Sequence, residues 1–288
     1  MTPNPRSTWF ITGASSGLGK SLALEALNAG HKVIGATRSI QSAVCAFPEF
    51  QAKGGIWVCL DPGNEDACKR MAQVAMEQNI DVLVNNAGYA FIGGVEDTSE
   101  DEVRSQMEVN FYGPLRVVRA LLPSMREKKA GHIVLISSGA SFIARPARGT
   151  YSASKVAIEA IHESLSRELE SFGVKVLIVA PGAFRTPFAS RIITPAQHGT
   201  SGFSDAYRGT SVEEMVLGTS NLKEMLPSAK GDPVKAARAI VAAVGNGHDY
   251  LRLPLGPDCV AALETKIHTL KKDLEDTKAI ATSTNIDS

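Results

Sequence analysis

A chain of 288 residues in which thirty basic and thirty acidic side chains cancel has no net charge to draw it to nucleic acid or an anionic membrane, and no basic block stands out. Cys45, Cys59, Cys68 and Cys259 lack C-x-x-C spacing and the six histidines are scattered, so no metal site is expected and the thiols read as reduced, in a cytoplasmic protein. No run reaches the ~18 apolar residues of a membrane span and the first residues lack a signal peptide's apolar stretch, leaving a small molecule as the expected ligand.

Short apolar runs alternate with amphipathic helical stretches along the chain. Residues 8–11 read as a buried strand, 18–29 as a helix stopped by Gly30, and 32–36 as a second strand, followed by a weak helix over 41–47. A third strand at 56–60, a helix at 65–78 and a fourth strand at 82–84 continue the pattern. The region 101–129 reads as one long helix bent at Gly113-Pro114, because proline breaks the hydrogen-bond ladder. A fifth strand at 132–136, a helix opening at Tyr151 and running to Glu170, and a sixth strand at 174–179 complete the alternation. Strand then helix, repeated, predicts right-handed crossovers and a doubly wound parallel α/β sheet of order 3-2-1-4-5-6, with an edge strand near 250–253.

Residues 182–232 break this rhythm. They are rich in Gly, Ser, Thr and Pro, carry a helical patch near 213–225, and read as a substrate-binding lid inserted in a single domain. Asp232 and Pro233 open a helix to Val244, and a last helix over 259–276 precedes a tail, 277–288, expected to fray.

Two motifs carry chemistry. Thr12-Gly13-Ala14-Ser15-Ser16-Gly17-Leu18-Gly19 lies between the first strand and first helix, where glycines allow a tight turn and the free N–H groups of a helix start attract a pyrophosphate. Its spacing is G-x-x-x-G-x-G, a variant of the usual dinucleotide fingerprint. A rival reading takes Gly13-x-Ser15-x-Gly17 as a hydrolase nucleophile elbow, with Asp205 or Asp232 and His248 or His268 completing a triad. Against it, no earlier strand exists to carry an oxyanion loop, and the third glycine has no purpose in an elbow. In the second motif, Tyr151-Ser152-Ala153-Ser154-Lys155, one helical turn stacks phenol over ammonium. A nearby cation can lower an acid's pKa by about one to three units, which would make the phenol a usable acid and base.

These residues, with Asn85-Asn86-Ala87-Gly88 after the fourth strand, resemble the short-chain dehydrogenase/reductase family over about residues 8–186. The resemblance implies a Rossmann-type fold, a nicotinamide cofactor and a tetrad of Asn110, Ser138, Tyr151 and Lys155, with Ser137 structural. It also implies that Gly13, Ser15, Ser16, Gly17, Leu18, Gly19, Asn86, Ala87 and Gly88, together with Tyr151 and Lys155, border the dinucleotide. Pro181, Gly182, Phe184 and Thr186 match the family's segment after the sixth strand, and Asp61 its adenine-binding acid. At the end of the second strand no carboxylate stands ready for a ribose 2′-hydroxyl; Thr37 and Arg38 are there instead, favouring the 2′-phosphate of NADP(H).

Residues 91–94, 142–144 and 184–203 are expected to form an apolar substrate wall. Within the family the chain looks most like the hydroxysteroid- and retinol-dehydrogenase branch, which implies a lipophilic alcohol or ketone, steroid-, retinoid-, terpenoid- or polyketide-like. The helices over 101–129 and 151–172 are that family's usual contact surface, implying a homodimer or homotetramer. Other classes stay open: a dinucleotide enzyme with net non-redox chemistry, such as an epimerase or cyclase, and a nucleotide-sensing regulator.

Overall fold

The computed structural model describes residues 6–61, 64–225 and 229–286. Seven strands form one all-parallel sheet: β1 (Thr8–Thr12), β2 (Lys32–Thr37), β3 (Ile56–Cys59), β4 (Val82–Asn85), β5 (Gly131–Ile136), β6 (Val174–Pro181) and β7 (Arg252–Leu255). Their order is β3-β2-β1-β4-β5-β6-β7, the doubly wound arrangement expected. Side chains alternate across a strand, so along β1 Trp9 and Ile11 enter one core layer while Phe10 enters the other. The first layer packs under α1 (Gly17–Asn28) and α9 (Pro233–Asn246), and the second under α4 (Glu65–Gln78), α6 (Gly113–Lys128) and α7 (Gly149–Glu168). The chain reverses direction beside β1, and the crevice above the carboxyl ends of β1 and β4 is where such sheets bind ligands.

Several elements differ from the sequence expectation. Pro48 starts a separate short helix, so the region after β2 is α2 (Ile40–Ala46) and α3 (Pro48–Ala52). The expected single long helix is instead three helical pieces. They are α5 (Glu100–Met107), a wider π-type turn at Glu108–Tyr112, and α6, which carries Pro114 just after that turn and Pro123 in its interior. β7 begins two residues later than expected and tolerates Pro254 because it is an edge strand.

The insertion holds short 3-10 turns and α8 (Ser211–Met225). It is docked onto the body: Ile193 pairs through its backbone with Ala90 and Ile92, and Asp97, 3% exposed, receives the Ser204 N–H at 2.9 Å and faces His198 Nε2 at 3.1 Å. Burial pushes the Asp97 carboxyl up, but the Ser204 hydrogen bonds and His198 outweigh it, and the net direction is down. The last helix, α10 (Pro257–Thr282), starts two residues earlier than expected and continues past Asp276, so the expected tail is helical as far as Thr282. Among the described residues no helix is long and apolar enough to cross a membrane, and no cluster of His, Cys, Asp and Glu could hold a metal ion.

Candidate active site

Above the sheet's carboxyl edge lies a cleft of about 1630 Å³, too large for a small ligand alone and sufficient for a dinucleotide with a substrate beside it. At its floor the chain turns from β1 into α1 with Gly13 at φ +65° and Gly17 at φ +56°, left-handed values that side chains rarely adopt. Gly19 is required for another reason: a Cβ there would lie 2.4 Å from the Gly13 carbonyl oxygen and from Asn86 Nδ2. Asn86 Nδ2 donates to the Thr12 carbonyl at 2.8 Å and the Gly13 carbonyl at 3.2 Å, while Thr12 Oγ1 accepts from the N–H groups of Asn86 and Ala87. The end of β4 thus holds the turn from behind, leaving Ser15, Ser16 and Gly17 open to the cleft.

Every sequence-predicted site residue lines this cleft except Gly19, which packs behind the turn, and Asn110. Thr37, Arg38 and Asp61 mark one end, Ser138, Tyr151 and Lys155 the other, and Pro181, Gly182, Phe184 and Thr186 border it along β6. The Arg38 side chain has no hydrogen-bond or ion-pair partner among the described residues, leaving its guanidinium available to a ligand phosphate. The positive-φ turn, the helix start behind it and the length of the cleft fit a dinucleotide.

Tyr151 and Lys155 share one face of α7, 6% exposed each. Lys155 Nζ donates to the Ile136 carbonyl at 3.0 Å and lies 5.9 Å from the Tyr151 ring centre. Burial drives the Tyr151 phenol above its ordinary value, and the groups that oppose burial are the Ser138 hydrogen bond and the Arg148 guanidinium. Burial also lowers Lys155 to about 8, against the attraction of Glu159 one turn further along. Ser138 reaches the site because it ends the extended run of β5, its Oγ accepting the Ala140 N–H at 3.2 Å. Ser137 also borders the cleft, and its hydroxyl donates to buried Glu159.

Asn110 is set one layer back, carried inward by the π-type turn. Its Nδ2 donates to the Tyr89 carbonyl at 3.0 Å and to Ser154 Oγ at 3.1 Å. Only Gly88 separates it from the ammonium: a Cβ on Gly88 would lie 3.0 Å from Asn110 Oδ1 and 3.6 Å from Lys155 Nζ.

The stack Tyr151, Lys155, Glu159 on one helical face gives a pH prediction. Glu159 favours the charged form of Lys155, so Glu159→Gln should lower the lysine's pKa further. The limb of the pH profile of kcat/KM that reports Lys155 is then expected to move to lower pH, and an alkaline displacement would contradict this coupling.

The substrate wall is only partly as expected. Ile92, Ile143, Phe188, Ile192 and Ile193 line the cleft, but Phe91, Phe142 and Phe203 are core residues. Gly93 and Gly94 instead receive Pro195 and Tyr207 of the insertion closely. The sequence reading missed three arginines and an aspartate. Arg145 and Arg148 line the cleft near Tyr151, and Arg148, three residues before the tyrosine, could have been found from helical spacing alone. Arg191 donates to Ser16 Oγ at 2.7 Å, tying the insertion to the glycine turn. Asp258 accepts the Ala183 N–H at 2.7 Å and fixes the segment after β6. It comes from a distant helix with no local motif, so sequence spacing held no signal for it.

The family model described as short chain dehydrogenase matches residues 7–196. A protein named Oxidoreductase claN from Passalora fulva is 45% identical over 210 residues, covering 73% of this chain and 94% of its own length. The crystal structure of a short-chain dehydrogenase from Streptomyces avermitilis, 35% identical, superposes with a TM-score of 0.83 over 98% of this chain and 100% of its own. A short chain dehydrogenase/reductase from Burkholderia phymatum in complex with NAD, 24% identical, shares the fold with a TM-score of 0.78 over 93% of this chain and 95% of its own.

Proposed function

From the premise that this chain belongs to the short-chain dehydrogenase family, we propose that it is an NADP(H)-dependent oxidoreductase acting on a lipophilic secondary alcohol or ketone. The observation that carries the reading is Ser138, Tyr151 and Lys155 gathered at one end of a cleft whose other end presents Arg38. The dinucleotide, when bound, supplies or accepts a hydride. Tyr151 exchanges a proton with the substrate oxygen, and Ser138, at the same end of the cleft, holds that oxygen in place. Lys155, anchored on the Ile136 carbonyl, supplies the positive charge beneath the phenol and orients the cofactor ribose, while Asn110 stands behind it. Burial, which drives the Tyr151 phenol up, keeps it protonated and therefore suited to act as the acid in carbonyl reduction.

The Burkholderia relative's NAD makes cofactor choice a point to test. A ribose 2′-hydroxyl is usually met by a carboxylate at the end of β2; this chain has Thr37 and Arg38 there, and Thr37 Oγ1 is engaged with the Ser39 backbone. The guanidinium suits a 2′-phosphate. Titrating NADPH and NADH by nicotinamide fluorescence is expected to favour NADPH. Arg38→Ala should weaken NADPH by roughly tenfold or more, the ~1.5–3 kcal/mol of a charge-assisted hydrogen bond, and leave NADH nearly unchanged. Equal losses for both cofactors would remove the 2′-phosphate role.

The substrate class follows from Ile92, Ile143, Phe188, Ile192 and Ile193 around the catalytic end, which suit steroid-, retinoid-, terpenoid- or polyketide-like carbon skeletons. The free thiols of Cys45, Cys59 and Cys259 accord with work in the cytoplasm, and the family's contact helices with a homodimer or homotetramer. Purified protein mixed with NADPH and a panel of lipophilic ketones is expected to oxidise the nicotinamide. Tight NADPH binding without oxidation by any member would overturn the redox reading.

A further inference from the structure

α10 leaves the body of the protein. Cys259 is buried at its root and Leu263 packs partly on the body, but every residue from 264 to 286 is exposed. At ~1.5 Å per residue, the stretch from 264 to 282 extends about 28 Å. A helix in water owes most of its stability to packing of an apolar face, and here that face has no partner among the described residues. Val260, Leu263, Ile267, Leu270, Leu274, Thr277 and Ala281 follow one another at alternating steps of three and four, the spacing of a coiled-coil seam. Ile267, Leu270 and Leu274 are 57%, 53% and 61% exposed.

The charges beside the seam identify the occupant. Glu264, Lys271 and Lys278 flank it on one side, Lys266 and Asp273 on the other. In a parallel pair of these helices, flanking positions of opposite sides meet across the seam, which would set Lys266 against the second copy's Lys271 and only Asp273 against an opposite charge, the second copy's Lys278. In an antiparallel pair, flanking positions of the same side meet. With the two-fold axis between His268 and Thr269, Ile267 packs on the second copy's Leu270 and Leu263 on its Leu274. The same register brings Lys266 to the second copy's Asp273 and Glu264 to its Lys271, each twice by symmetry and with no like pair. Lys266, Asp273 and Glu264 have no ion pair within the chain among the described residues, while Lys271 faces Glu275 at 4.0 Å in an exposed contact that contributes little.

A lipid surface is the less suitable occupant. Interfacial helices carry a lysine- and arginine-rich polar face, whereas here Lys266, Lys271, Lys272 and Lys278 are balanced by Glu264, Asp273, Glu275 and Asp276. We propose that α10 is a self-association element, pairing antiparallel with α10 of a second copy of this chain. This surface is separate from the helices over 101–129 and 151–172, so it adds an interface to any that those helices form.

The full-length chain, followed by sedimentation velocity at micromolar concentration, is expected to self-associate, and Leu270→Glu should halve its mass. The substituted side chain is exposed, so helicity by circular dichroism and NADPH binding should not change. Lys266→Glu separates the two orientations. It sets like charges together in the antiparallel pair and should weaken association by about tenfold, but would tighten a parallel pair. Adding Asp273→Lys to it should restore association. A wild-type mass of one chain, a mass insensitive to Leu270→Glu, or tighter association of Lys266→Glu overturns the proposal. Flotation of a monomeric chain with phosphatidylcholine–phosphatidylserine vesicles would also overturn it, assigning the face to lipid.

Discussion

Tyr151→Phe is expected to lower kcat for ketone reduction by about 10²- to 10⁴-fold, the usual contribution of a positioned proton donor, and to leave the NADPH dissociation constant within about twofold of native. The substitution removes one oxygen from a side chain 6% exposed. Its ring packs among Ala90, Ile92, Ala147 and Phe203, so the aromatic contacts survive and the fold should too. What is lost is the proton that the proposed mechanism draws from the phenol. Lys155 cannot replace it, because its ammonium is turned to the Ile136 carbonyl, and Ser138 lacks the acidity. Single-turnover absorbance measurements with preloaded NADPH separate the chemical step from binding. A variant retaining a tenth or more of the native single-turnover rate would show that the proton comes from elsewhere.

The alternation of buried strands and amphipathic helices was legible because its cause is local. β1, β2, β4 and β5 are buried on both faces and read as continuous apolar runs, and right-handed crossovers leave few ways to order them. The glycine turn and the Tyr151–Lys155 pair were legible for the same reason, since each lies within two turns of chain. Groups brought together only by the fold were not legible. Asp258 reaches Ala183 across 75 residues and Arg191 reaches Ser16 across 175. The π-type turn that carries Asn110 inward has no composition signal, and the proline beside it suggested a bend instead. Burial, which raises the Tyr151 phenol and lowers the Lys155 ammonium, has no signature in the spacing of the two residues. A resemblance could supply the tetrad, but which aromatic side chains face the cleft depended on the docking of the insertion.

Gly19→Ala is expected to weaken dinucleotide binding roughly tenfold to a hundredfold. Helix propensity alone predicts the opposite, since alanine is about 1 kcal/mol better than glycine inside a helix, and Gly19 belongs to α1. The added methyl group, however, would sit 2.4 Å from the Gly13 carbonyl oxygen and equally close to Asn86 Nδ2. Neither can yield alone. Gly13 holds φ +65°, and its carbonyl accepts from Asn86, whose amide also binds the Thr12 carbonyl. Relief therefore requires the turn to move relative to the end of β4, and with it the Ser15 to Gly17 backbone that faces the cleft. Overpacking of this kind costs ~1–3 kcal/mol, which outweighs the propensity gain. Gly245→Ala is the control: it lies in α9 with nothing within 4 Å of the new Cβ, so propensity alone acts and stability should rise by up to ~1 kcal/mol with NADPH affinity unchanged. Fluorescence titration and thermal unfolding of the two variants distinguish contact from propensity. If Gly19→Ala bound NADPH as tightly as the native chain, the turn would not be the rigid cradle that these distances describe.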